Sequence, residues 1–406
     1  MTKLSVDSGD RPRALIVCPE PPYPLHGGGA FRTAAILNYL ARRYRLDAVF
    51  FRQEDWPDPA ASVPRGLIDE SVTIDLPVHS RSLPARVLRN AGRLLRGVPP
   101  LVDRLEGHHA VLADFLGGRL YDLAVVEHFW CAGYAPALAP YCRRLVLDLH
   151  NIESLLFASR ALISPWPFSA AHRRFAKATL ALERRLLAFF DLVLVPSTVD
   201  QAHLCRRIPG VRTAVYHNTI PFAPIARPAA EFSIVFSGNM EYDPNMSAVR
   251  FFRNRIWPIL SARHPGLTWK LVGRNPKFVR RYIQNDPRIV CTGPVEDSLS
   301  VIAASRVAVV PLLAGSGTRL KIIEAWAAGV PVVSTVLGAE GLPAVHGQLI
   351  LLADTPAEFA AHVSSLLPAG GRPVPLSASI AAAARRLYEQ EFTWERGWCM
   401  LENLGL

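Results

Sequence analysis

The chain has 406 residues, 50% of them apolar, and a formal net charge of +11 at pH 7; its mean hydropathy is +0.17. Such length and apolar content exclude a disordered chain or a disulfide scaffold and provide for two domains, each with its own core. The positive charge points to anionic partners (nucleotides, phosphorylated substrates, nucleic acid or an acidic membrane surface) without choosing among them.

The N-terminus, MTKLSVDSGDRPR, is charged and lacks an apolar h-region, so no signal peptide is expected. Six cysteines (Cys18, Cys131, Cys142, Cys205, Cys291 and Cys399) lie far apart, with no CxxC pair and no Cys/His cluster at metal spacing. Neither a zinc site nor a disulfide framework is indicated, and a reducing cytoplasm fits. No apolar run approaches the roughly 18 to 20 residues that span a bilayer.

In chain order, runs rich in Val, Ile and Leu predict strands at 14–19, 46–51, 72–76, 123–128, 144–150 and 192–197. Stretches of helical period lie between most of them, the pattern of βαβ units in a parallel sheet. After the first strand, PPYPLHGGGAFRTAAILNYL places Gly27 to Gly29 ahead of a helix with Phe31, Ala35, Leu37 and Leu40 as a partial apolar face. Such a turn lets backbone approach a ligand and aims N–H groups at an anion; it serves equally as a tight strand-to-helix connection. A Rossmann fingerprint would need glycine where Arg32 stands and an acidic residue ending the second strand, and no GK[ST] follows as in a Walker A loop.

Residues 76–102 hold Arg81, Arg86, Arg89, Arg93 and Arg96 and no acidic residue. Val87, Ala91, Leu94 and Val98 recur at helical spacing, with the arginines on a different stripe. A basic amphipathic helix over 81–98 suits peripheral contact with an anionic membrane; a solvated face packed on its domain is the other reading. Nucleic acid is not an expected partner, because the arginines are not interleaved with aromatics. Further on, Glu127 and His128 end the fourth strand and His150 the fifth, so all three should point to the carboxyl edge of the sheet. That is where doubly wound folds bind ligands, although a residue at a strand end is often only a satisfied cap.

Residues 217–231 contain three prolines and little periodicity, and predict a linker. Strands follow at 232–238, 268–273, 288–293, 306–312 and 330–335. The expected fold class is therefore α/β, with two doubly wound Rossmann-like domains at 1–216 and 232–385 whose strand ends share a cleft. A helix over 386–406 carries Phe392, Trp394 and Trp398, read as packing residues.

Residues 315–335, GSGTRLKIIEAWAAGVPVVST, form a Gly-rich turn, a helix with Leu320, Ile323 and Ala327 on one face, then Gly329 and a strand. Arg319 and Lys321 stand in the first turn, where the macrodipole favours negative charge. Lys321 can pair with Glu324 on the surface. A bound diphosphate would instead supply the counter-ion through charge-assisted hydrogen bonds, leaving Glu324 to accept from sugar hydroxyls.

Together with VFSGNMEYDPNMSAVRFF, WKLVGRNP, VCTGPVED and the early glycine loop, this stretch resembles the retaining nucleotide-sugar glycosyltransferases of family 4, of GT-B fold, over roughly residues 14–400. The resemblance implies a nucleotide diphosphate sugar held by the second domain and a hydroxyl acceptor (glycan, lipid-linked sugar or small molecule) bound mainly by the first. It implies transfer with retention, no metal cofactor, a leaving diphosphate that helps deprotonate the acceptor, and polysaccharide biosynthesis at the inner face of the membrane as the setting. Carried over residue by residue, it places Glu324 on the ribose hydroxyls and Ser316, Gly317, Thr318, Arg319, Leu320 and Lys321 around the diphosphate and sugar. Val295 falls beside the base, Ser237 and Gly238 along the donor, Gly28 and Gly29 near the phosphates, His150 at the donor sugar, and Glu127 and His128 at the acceptor. The last helix would return to the first domain.

Two positions depart from the family pattern. Ser316 stands where the first glutamate of E-x7-E is common, which leaves the donor sugar open, and Asn239 and Pro244 stand where a G-R-x4-K pattern has its cations. Arg319 and Lys321 are then expected to take over the diphosphate charge. A GT-B nucleotide-sugar epimerase and a non-catalytic sugar-nucleotide binding protein are the alternatives.

Overall fold

The computed structural model describes residues 11–406 apart from 26, 54–55, 81, 226–230, 284–285, 315–318 and 369–373. The chain divides into two compact units, one comprising residues up to 157, 171–216 and 398–406, the other 158–170 and 217–397.

The first unit is built on seven parallel strands: β1 (Arg13–Cys18), β2 (Arg45–Arg52), β3 (Glu70–Asp75), β4 (Leu123–Glu127), β5 (Leu145–Asp148), β6 (Leu192–Val195) and β7 (Thr213–Val215). Their order is β3-β2-β1-β4-β5-β6-β7. Every residue of β4, β5 and β6 is buried, because a parallel sheet is covered on both faces and so reads as a continuous apolar run. Leu15, Val17, Val126, Leu147 and Val193 of this sheet share a core with Leu105, Leu112, Leu116 and Ile152.

The second unit repeats the plan with β8 (Ser233–Ser237), β9 (Thr268–Val272), β10 (Ile289–Gly293), β11 (Val307–Val310), β12 (Val332–Ser334) and β13 (Leu351–Leu352), ordered β10-β9-β8-β11-β12-β13. Trp257, Trp269 and Trp326 are fully buried in it; the Phe252 ring lies 4.5 Å from Trp269 and Phe392 5.8 Å from Trp326. Strand order reverses between β1 and β4 in one sheet and between β8 and β11 in the other, and such switch points open a crevice at the carboxyl ends.

Sequence pattern did not reveal β7 and β13. Both are short edge strands, with too few residues to form an apolar run. The fifth strand ends at Asp148, so His150 lies two residues beyond it. Residues 217–225, expected as linker, run along the second unit's own helix Pro375–Glu391: the Tyr388 hydroxyl donates to Pro221 O at 2.8 Å and accepts from Ala223 N at 3.1 Å. The expected C-terminal helix is broken at Phe392–Thr393, and a separate helix covers Trp394–Asn403. Within the first unit, Trp398 Nε1 donates to Ala35 O at 2.9 Å and Arg144 to Gly405 O at 2.8 Å.

The basic segment does form a helix, Leu83–Arg96, with Leu83, Val87, Leu88 and Leu95 exposed. Arg93 is buried and its Nε donates to Asp103 at 2.8 Å. Asp103 lies one residue past the acid-free window, which is why the pattern gave no hint of the pairing. Arg81 is outside the described residues. Among those that are described, no helix is long and apolar enough to cross a membrane.

Candidate functional site

Each unit gathers polar side chains at its own switch point. In the first, Glu127 ends β4, Asp148 ends β5 and His150 follows it, while Arg32 and Thr33 come from the helix Gly28–Ala41 that the glycine turn opens. Arg32 grips Asp148 with two hydrogen bonds, Nε to Oδ2 at 2.7 Å and Nη2 to Oδ1 at 2.6 Å, and its Nη1 donates to Tyr216 O at 2.7 Å. His150 Nε2 lies 2.8 Å from Glu127 Oε2 and 3.3 Å from Asp148 Oδ2; Thr33 Oγ1 donates to the same Glu127 oxygen at 2.9 Å.

Four buried charges thus share one small volume, and their titration follows from that. Burial opposes a proton on His150, but hydrogen bonds to Asp148 and Glu127 outweigh it and raise the pKa to about 9. Burial would raise Asp148 as well, yet Arg32 holds it below its ordinary value. Burial and the neighbouring Asp148 push Glu127 up. His150 is accordingly an imidazolium at neutral pH, a hydrogen-bond donor with no lone pair to act as a base. Burial, then repulsion from His150 and Arg32, keeps His128 well below its ordinary value and neutral. Its ring lies 3.6 Å from that of His150 and stacks on Trp130 at 4.2 Å. His128 has φ +61° and ψ 144°, a conformation that costs on the order of 1–3 kcal/mol and clusters at functional sites. Glu127 Oε1 is buried without a hydrogen-bond partner among the described residues, an acceptor suited to a substrate hydroxyl.

A Cβ on Gly29 would lie 3.0 Å from Glu20 Oε2, 3.7 Å from His150 Nδ1 and 3.9 Å from His128 Nε2, so the glycine turn brings backbone against this cluster. Glu127, Asp148 and His150 also offer ligand atoms within 4.8 Å of one another. Arg32 and protonated His150 already balance the two carboxylates, so a metal ion would meet no uncompensated negative charge.

In the second unit, Ser237 ends β8, Gly238 follows, and the helix Leu320–Ala327 brings Lys321 and Glu324 beside them. Lys321 Nζ donates to Asn245 Oδ1 at 2.7 Å and sits 4.2 Å from the Phe236 ring centroid. Ser237 Oγ donates to Glu324 Oε2 at 3.3 Å. The surface pair of Lys321 with Glu324 is not formed: each side chain turns to a partner on the β8 side. Buried Arg319 occupies the N-cap position, one residue before the first turn where it was expected.

Burial, helped by repulsion from Arg319 and opposed by Glu324, lowers the Lys321 pKa to about 7. Burial raises Glu324 to about 7 against the pull of Lys321. Both groups keep some solvent contact. Glycine is required twice here. Gly238 has φ +144°, and a Cβ on it would stand 2.8 Å from Asn245 Nδ2 and 3.4 Å from Lys321 Nζ; a Cβ on Gly273, at φ +134°, would stand 2.1 Å from Gly238 O. Val295 lies just past the end of β10.

The structure therefore joins His150, Glu127, His128 and Gly29 in one cluster, and Ser237, Gly238, Lys321 and Glu324 in another. Gly28 opens its helix beside Gly29, and Leu320 is buried in the first turn of its own. Ser316, Gly317 and Thr318, expected at the diphosphate, lie outside the described residues. Sequence reasoning missed Arg32, Asp148 and Asn245. An aspartate inside the apolar run RLVLDLH was the available signal, since a buried carboxylate demands a partner.

Comparison with solved structures gives the fold. Sucrose-phosphate synthase from Thermosynechococcus elongatus superposes with a TM-score of 0.73 at 16% identity, covering 97% of this chain and 98% of that one. HepE from Anabaena, solved in complex with UDP-glucose, gives 0.62 at 17% identity over 97% and 99%. With two parallel doubly wound sheets, the fold is GT-B. Residues 231–368, which hold the Lys321–Glu324 cluster, match the family described as Glycosyl transferases group 1. An uncharacterized 44.6 kDa protein in the cps region of Klebsiella pneumoniae is 23% identical over 139 residues, 32% of this chain and 36% of that protein. The chain thus has the GT-B fold and, over residues 231–368, resembles the group 1 glycosyl transferases.

Proposed function

We propose that the chain transfers a sugar from a nucleotide diphosphate sugar to a hydroxyl acceptor with retention at the anomeric carbon, as family 4 enzymes do. One observation carries the reading. At the switch point of the second sheet, a half-buried lysine (Lys321) stands over a glycine backbone turn (Gly238), with a carboxylate (Glu324) one turn along the same helix. That arrangement offers positive charge to a diphosphate, close backbone to the nucleotide and an acceptor to ribose hydroxyls. Lys321 and Arg319 neutralise the leaving diphosphate without a metal, in place of the cations absent at Asn239 and Pro244. Pro244 is instead buried in the first turn of the helix Asp243–Phe251.

In the first unit, His150 donates to a substrate hydroxyl through its protonated ring, and Glu127 accepts from the acceptor. The leaving diphosphate, not His150, takes the acceptor's proton. Assembly of a polysaccharide in the cytoplasm is the setting we propose, supported by the likeness to a cps-region protein.

A thermal-shift screen of UDP, UDP-glucose and other nucleotide sugars tests the nucleotide side, because a ligand that binds only the folded protein raises its apparent stability. Failure of every nucleoside diphosphate to stabilise the chain would overturn it. Product analysis then separates the chemistries. A transferase yields glycoside only with acceptor present, an epimerase converts donor without acceptor, and a binding protein does neither.

A further inference from the structure

Helix Leu83–Arg96 keeps its polar side against the protein and its apolar side in water. At about 100° per residue, Leu83, Val87, Leu88, Ala91, Leu94 and Leu95 fall within one arc of about 140°. Leu83, Val87, Leu88 and Leu95 are 73%, 65%, 77% and 81% exposed. The opposite side is fastened. Asp103 accepts from Arg93 at 2.8 Å and from Arg96 at 2.7 Å, and Arg174 donates to Leu94 O at 2.6 Å. Gly97 closes the helix in the left-handed conformation, where a Cβ would meet Ala178 at 3.5 Å. One largely buried ion pair, one exposed pair and a backbone contact therefore hold the apolar arc outward.

We infer that this arc docks on an anionic membrane surface, the helix lying in the plane of the interface with its leucines among the acyl chains. Charge selects this occupant. Arg86 and Arg96 flank the arc on its two sides, Arg96 being exposed while it pairs with Asp103, so lipid phosphates meet cations at both edges of the buried strip. A second copy would set the same arginine rims against each other, on a chain of net charge +11. A contiguous apolar surface of this kind on a monomer marks an interaction site. The inference goes beyond the donor reading, since neither Lys321 nor Glu324 enters it.

The test is flotation of the full chain with vesicles of phosphatidylcholine alone or mixed with phosphatidylglycerol, for wild type, Leu88→Ser/Leu95→Ser and Arg86→Gln. Wild type should float with the anionic vesicles and much less with neutral ones. The double leucine variant should lose at least about tenfold in vesicle affinity, and Arg86→Gln a smaller part, confined to anionic vesicles. Both variants change exposed side chains, and an unaltered unfolding midpoint shows that the fold is kept. No flotation of wild type overturns the inference. Undiminished binding of the leucine variant overturns it too, since charge alone would then account for binding. A concentration-dependent dimer that the leucine variant abolishes would assign the face to a second copy and likewise overturn it.

Discussion

Lys321 gives the sharpest test of the donor site. Its pKa is lowered to about 7 by burial and by Arg319, whereas an ordinary lysine titrates near 10.4. A diphosphate placed at Nζ favours the ammonium and restores a high value, so binding above neutrality takes up a proton. The sign follows. As pH rises through 7 the unliganded lysine is increasingly neutral, and affinity for UDP should fall. Linkage then gives net proton uptake on binding just above neutrality and an affinity that falls as pH rises from about 7.5 to 8.5. Titration calorimetry in two buffers of different ionisation enthalpy reads both quantities. Lys321→Met should bind UDP about 10- to 100-fold more weakly, the range of a hydrogen bond to a charged group, and lose the pH dependence. Wild-type affinity in the variant, or a flat profile without proton uptake in the wild type, would refute the reasoning.

Further outcomes follow from the same geometry. Histidine NMR should show His150 titrating near 9 and His128 still neutral below its ordinary range; Glu127→Gln should lower the His150 value by removing one of its hydrogen-bonded carboxylates, and a His150 that titrates below 6.5 contradicts the cluster. His150→Gln should reduce kcat about hundredfold while the donor KM stays within a few-fold, the pattern expected when a donor acts mainly in the transition state. Asp103→Asn strands buried Arg93 and should cost roughly 3 kcal/mol in urea unfolding, whereas an exposed ion pair would cost a few tenths. Gly273→Ala drives a Cβ into the Gly238 carbonyl at 2.1 Å; a loss of about 3 kcal/mol or more, together with donor binding, is expected.

Much of the architecture was legible because it rests on local chemistry. Runs such as ALIVCP, LAVVE and LVLV announce strands buried on both faces, and the alternation of short apolar runs with helical stretches announces parallel sheets. What failed to show was short or non-local. β7 and β13 have three and two residues, and their pairing depends on a neighbour placed by the rest of the fold. The basic segment is the clearest case. Its periodicity predicted a helix correctly, but periodicity has no sign, and which face turns inward was decided by Asp103 and Arg174.

The site divides in the same way. The sequence by itself determined which residue types stand at the strand ends and on the helix after the Gly-rich turn: Glu127, His128, His150, Lys321 and Glu324. Only the tertiary structure decided whom they meet. Arg32, more than a hundred residues from Asp148, locks that carboxylate and so leaves His150 protonated. Asn245, 76 residues from Lys321, draws its ammonium to the glycine turn and away from Glu324. Charge and hydrogen bonding act over a few ångströms of space, and a one-dimensional chain does not carry those distances until it is folded.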